Sequence, residues 1–161
     1  MSLPEVCVIY LIRTLDTGEE EILLGRKKTG LGTGLFVGPG GKLEPGESPA
    51  QAIIRETSEE VGLTLREADL ELVGEMTYPF PFRQEWSQKS WVFVARTWSG
   101  DVVASDELEP FWVPASRMPF DAMWDDAKYW VPVILSGGKV SATFSYGRDC
   151  ATVEHSDFPG F

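Results

Sequence analysis

The stretch from Gly40 to Leu63 limits what this chain can fold into more than any other. It reads as a glycine-rich loop (Gly40-Gly41-Lys42-Leu43-Glu44-Pro45-Gly46) entering a short helix. Ser48 is a natural N-cap, Pro49 suits the first helical position, and Gln51 can close a capping box three residues after the cap. Gly62 supplies the left-handed stop. Between these limits Ala50, Ile53, Ile54, Thr57 and Val61 keep helical spacing and predict one buried stripe, with Arg55, Glu56, Glu59 and Glu60 on the opposite side.

That acidic side needs a cause. Glu56 stands three and four residues before Glu59 and Glu60, and like charges at that spacing cost a helix roughly 0.2–0.5 kcal/mol per pair. The C-terminal end of a helix also disfavours anions. A bland solvated face would interleave lysines. A divalent cation among the carboxylates removes the cost, and oxygen-only ligands suit Mg²⁺ or Mn²⁺. A metal site and an ordinary acidic surface are the two readings, and the spacing favours the metal.

These residues carry a resemblance. Gly41, Glu47, Arg55-Glu56, Glu59-Glu60, Gly62 and Leu63 match the Nudix box, G-x5-E-x7-R-E-U-x-E-E-x-G-U, where U is a bulky apolar residue. Thr57 is the one departure, a polar β-branched residue at a U position. The resemblance implies an enzyme that cleaves a nucleoside diphosphate linked to another group, using metal held on this helix.

The rest of the chain sets limits. Its 161 residues suit one domain with a real core, here expected over about 5–153 with a weakly ordered tail at 154–161. A net charge of −11 argues against binding duplex nucleic acid or an anionic membrane surface. Cys7 and Cys150 form no local pattern and read as small hydrophobes; with no signal peptide or long apolar span, a reducing cytoplasm is the expectation. Strands are predicted at 6–12, 21–25, 35–37, 70–78, 91–98, 109–114 and 139–146, and a helix at 127–135 despite Pro132. This is one mixed α/β domain. Arg26-Lys27-Lys28, the one dense basic cluster, is a solvated loop by itself and a phosphate clamp beside a metal site. The aromatics from Phe80 to Trp86 suit hairpin packing or the wall of a base pocket.

Residues 6–146 further resemble the MutT-homologue branch, the oxidised purine nucleoside triphosphatases, through Leu23-Leu24-Gly25-Arg26-Lys27-Lys28, Ser105 to Trp112, Met118-Pro119-Phe120, Met123-Trp124 and Tyr129-Trp130-Val131-Pro132. The resemblance implies an α/β/α sandwich around a mixed sheet, hydrolysing triphosphates such as 8-oxo-dGTP to the monophosphate and pyrophosphate. It places Mg²⁺ on Glu56, Glu59, Glu60 and the Gly40 carbonyl. Phosphate charge falls to Lys27 and Lys42. Glu56 or Glu107 would act as base, and Arg55 with Glu47 would orient the ligands. Leu31, Phe36, Val37, Trp124 and Asp126 would line the base pocket, Trp124 by stacking. Two positions depart from the branch: Val37 stands where an asparagine commonly reads the base, and Ala127 replaces the second of two aspartates, unless Asp125-Asp126 recovers the pair by a one-residue shift. Losing one such partner typically removes about 1–3 kcal/mol of discrimination. Another diphosphate substrate (ADP-ribose, a nucleotide sugar, a dinucleotide or a capped RNA end) and a non-catalytic nucleotide-binding module remain alternatives.

Overall fold

Side chains along β1 (Glu5–Thr14) alternate between two cores, which is why its apolar run is continuous. Cys7, Ile9 and Leu11 face one side, and Tyr10 and Ile12 the other. The computed structural model describes residues 2–161. After β1 come β2 (Glu20–Lys27), β3 (Phe36–Val37), β4 (Gly40–Lys42) and helix α1 (Pro49–Val61). The chain continues through β5 (Glu71–Tyr78), β6 (Gln88–Ala95), β7 (Leu108–Pro114), helix α2 (Ala127–Leu135), β8 (Val140–Tyr146) and β9 (Val153–Ser156).

The strands run in the order β3-β2-β1-β6-β5-β8-β9, with β4 on β1 and β7 on β2. Only β1–β6 and β5–β8 are parallel pairs, so the sheet is mixed. α1 packs Ala52, Ile53 and Val61 against Cys7, Ile9, Leu11, Leu23 and Phe93. On the other face α2 packs Trp130, Val131 and Ile134 against Ile12, Leu24, Met76 and Val92. This is the α/β/α arrangement the sequence predicts. None of the described helices is long and apolar enough to cross a membrane.

α1 is bounded as expected. The Ser48 hydroxyl accepts the Gln51 amide at 3.1 Å, the Gln51 side chain accepts the Ser48 amide at 2.9 Å, and Gly62 ends the helix at φ 74°. Its faces differ from the expectation. Ala50 and Ile54 are only half-buried, whereas Ala52, Glu56 and Glu60 are buried with Ile53, Thr57 and Val61. Glu56 and Glu60 therefore press against β4 instead of facing water, while Glu59 stays exposed.

Thr57, the departure from the motif, is fully buried and its hydroxyl has no hydrogen-bond partner among the described residues. An orphaned buried hydroxyl is costly, while an apolar group of the same shape is not. Thr57→Val should stabilise the protein by about 1 kcal/mol, about 2–4 °C in Tm. A lowered Tm on thermal melting would show that the hydroxyl is satisfied in solution.

Three elements depart from the sequence reading. Gly40–Lys42, expected within a glycine-rich loop, forms β4 antiparallel to β1. The strand expected at 91–98 starts earlier and ends at Ala95, where Trp98 turns away to stack on Trp112 at 5.9 Å. The expected weak tail instead carries β9, antiparallel to β8, and then sets Phe158 on Phe144 and Phe161 on Tyr129. Cys7 is the buried hydrophobe expected, its thiol pushed up to about 12 by burial.

Candidate metal and nucleotide site

Two segments distant in sequence deliver the carboxylates. α1 supplies Glu56 and Glu60, one turn apart, and the loop leading into β7 supplies Glu107. One oxygen from each lies within 4.8 Å of the others, with Glu56 and Glu60 buried and Glu107 exposed. β4 lies alongside and fixes them. The Gly40 amide donates to Glu60 Oε1 at 2.9 Å. At Gly41 a Cβ would sit 2.5 Å from the Glu56 carboxyl carbon, which only glycine avoids.

Arg55 holds the rim. Its Nε and Nη2 take both oxygens of Glu47 at 2.8 and 2.9 Å, and Nη2 also reaches the Lys42 carbonyl at 3.0 Å. Nη1 donates to Glu56 at 2.9 Å and to Glu59 at 3.3 Å. One arginine thus offsets the repulsion on a helix that carries no lysine of its own. Glu59 itself stays outside the trio, with its side chain 58% exposed.

Electrostatics follow the burial. Desolvation lifts the Glu60 carboxyl well above its ordinary value, and Glu107 and Glu56 add to the rise against the Gly40 amide. Burial raises Glu56 too, opposed by Arg55. Arg55 holds half-buried Glu47 down at about 2. Lys27 is lowered by burial, opposed by the charges of Glu60 and Glu107. A nearby all-oxygen set that ionises reluctantly by itself is suited to a hard divalent cation. Lys42 is exposed on β4, close enough to lower Lys27 further.

The glycine loop connects this cluster to an aromatic patch. A Cβ at Gly30 would lie 3.9 Å from Lys27 Cε, and one at Gly32 3.0 Å from Trp124 Nε1. Trp124 is half-buried and meets Phe80 and Tyr146 edge-on at 6.0 and 5.6 Å. Phe36 packs on the same side, edge-on to Phe111 at 4.8 Å, and Leu31 is half-buried on the loop. Val37, the next residue in β3, packs on the α1 side because successive strand side chains alternate, so the two do not share a wall.

Asp126 corrects the sequence reading most clearly. It is 3% exposed, and its oxygens accept from Tyr78 Oη at 2.8 Å, from Trp130 Nε1 at 2.6 Å and from the Tyr146 hydroxyl. It is a core anchor, with no oxygen turned to a base. Asp125 does not replace it, since it accepts the Val153 amide and the Lys128 ammonium, each at 2.8 Å. Tyr78 and Tyr146 were missed. Each shares the inward register of its strand with apolar neighbours, Met76 and Phe144, and a buried tyrosine hydroxyl needs a partner.

The NUDIX domain model matches residues 4–134. An oxidized purine nucleoside triphosphate hydrolase of Danio rerio is 35% identical over 148 residues, covering 92% of each chain. The protein of the same description from Mus musculus is 33% identical over 127 residues, covering 79% of this chain and 80% of that one. Among solved structures, a MutT protein from Bacillus halodurans superposes with a TM-score of 0.79 at 22% identity, covering 99% of both chains.

Proposed function

The chain belongs to the NUDIX hydrolase family, and from that membership we propose that it hydrolyses nucleoside triphosphates to the monophosphate and pyrophosphate with Mg²⁺ at Glu56, Glu60 and Glu107. The observation that carries this reading is the convergence of those three carboxylates beside Lys27. The names of the Danio and Mus relatives supply the substrate class.

Mg²⁺ held there would neutralise polyphosphate charge, polarise phosphorus and make an attacking water more acidic. The chain's own groups do the rest. Lys27, with Lys42 near it, takes remaining phosphate charge, and Arg55 keeps Glu56 and Glu59 in place from the rim. Glu59, outside the trio and held by Arg55, would complete the ligand set only by leaving Arg55. One oxygen of Glu56 is committed to Arg55, so the second oxygen of solvent-exposed Glu107, the first being a metal ligand, takes the proton from water. Trp124 is the stacking surface at the far end of the glycine loop.

Base recognition is the point where this chain differs from its branch. With Val37 turned to the α1 side and both aspartates engaged within the protein, the site holds the base by stacking and shape. The test is Mg²⁺-dependent product release from ordinary and oxidised nucleoside triphosphates, ADP-ribose and a dinucleoside polyphosphate. Pyrophosphate, not orthophosphate, is expected, with kcat/KM for 8-oxo-dGTP and dGTP within about tenfold, about 1.4 kcal/mol. A preference of about 100-fold for 8-oxo-dGTP would overturn the stacking reading. Cleavage of the non-triphosphates alone would overturn the triphosphate reading.

A further inference from the structure

Glu107 reaches the cluster from a segment that should resist being there. Ser105-Asp106-Glu107-Leu108-Glu109 carries acids at 106, 107 and 109 with no base among them, and it brings Glu107 against Glu56 and Glu60. Like charges at such range repel, and Arg55, which reaches Glu56 from the rim at 2.9 Å, offsets them only in part. Something must hold the segment in.

Lys28 is placed to do so. It follows the last residue of β2, and its amide donates to the Glu107 carbonyl at 2.9 Å, extending the β2–β7 ladder by one bond. Its ammonium donates to the Ser105 carbonyl at 2.7 Å and lies 3.4 Å from Glu109 Oε2. The side chain therefore grips the segment on both sides of Glu107. Ser105 adds an internal brace, its hydroxyl accepting the amides of Glu107 and Leu108 at 3.3 and 3.2 Å. Lys27 and Lys28, adjacent in sequence, then divide the work: the first faces the carboxylate cluster and the second holds the backbone that delivers its third member.

We propose that Lys28 is a positioning residue that sets the affinity of the metal site by clamping the Ser105–Glu109 segment, so that Glu107 joins Glu56 and Glu60. This rests on the metal reading given above. Partners that orient a metal ligand commonly change metal affinity 10–100-fold when removed.

The test measures Mn²⁺ binding to the nucleotide-free protein by electron paramagnetic resonance, so that turnover is not the readout. Lys28→Met should raise the Mn²⁺ Kd about tenfold, and Lys28→Arg, which keeps a donor and the charge, should restore it to within about threefold of the parent. Ser105→Ala, which removes the brace without touching Lys28, should weaken binding in the same direction and serves if Lys28→Met folds poorly. Glu107→Gln is the control. If Glu107→Gln weakens Mn²⁺ binding while Lys28→Met and Ser105→Ala do not, the clamp is wrong and the metal site stands. If neither Glu107→Gln nor Glu60→Gln alters Mn²⁺ affinity, the metal reading falls and the clamp falls with it.

Discussion

Glu60→Gln is expected to lower kcat/KM by about three orders of magnitude while leaving Tm unchanged or raised. Removing one charged ligand from a catalytic cation site forfeits several kcal/mol of transition-state stabilisation, and about 4 kcal/mol is a factor of about 10³. The fold should not suffer. A glutamine carbonyl can still accept the Gly40 amide that Glu60 accepts at 2.9 Å. The substitution also removes a carboxylate whose ionisation is opposed by burial and by Glu107 and Glu56. Steady-state rates across an Mg²⁺ titration, with thermal melting of the metal-free protein, check both halves. Turnover within tenfold of the parent at saturating Mg²⁺ would remove Glu60 from the ligand set. Glu59→Gln is the informative companion. Glu59 lies outside the trio and is held by Arg55 at 3.3 Å. A loss as large as at Glu60 would mean that Glu59 exchanges Arg55 for the metal when the site is loaded.

Much of this architecture is legible in the sequence because it is local. Ser48, Pro49, Gln51 and Gly62 delimit α1 through contacts within a few residues, and the apolar run of β1 declares a strand covered on both faces. The orientation of Glu56 and Glu60 is not local. Hydrophobic periodicity assigns charge to the outside, and only the approach of β4, with Gly40 and Gly41 lacking side chains, makes room for two buried carboxylates. Glu107 was reachable only through the family resemblance, since nothing in its own segment points to α1. β9 escaped notice because Val153–Ser156 is short and mostly polar, and it is ordered by pairing with β8. Asp126 shows the converse limit. Motif register made it a base reader, but its role is set by Tyr78, 48 positions away, and Tyr146, 20 positions away.

That assignment has a large consequence for stability. Asp126→Ala should destabilise the protein by about 3–5 kcal/mol, because it leaves the hydroxyls of Tyr78 and Tyr146 and the indole of Trp130 buried without their acceptor. Asp126→Asn should cost less than about 2 kcal/mol. Its carbonyl can accept from Tyr78 and Trp130, which share one oxygen now, while its amide donates to the Tyr146 hydroxyl. The pair also separates charge from shape through pH. Burial raises the Asp126 carboxyl above 3.8 in the folded protein, despite the three donors that oppose the shift. The native state therefore binds that proton more tightly than the unfolded chain. Its contribution to stability is fully present below the unfolded value of about 3.9 and is lost as pH rises through the native value. Denaturant unfolding of the parent and Asp126→Asn at a series of pH values cancels the titration of the other carboxylates. The difference should move in favour of the parent as pH falls through that window. A pH-independent difference would mean that Asp126 ionises in the core as it does in water, and that the three hydrogen bonds fully offset its burial.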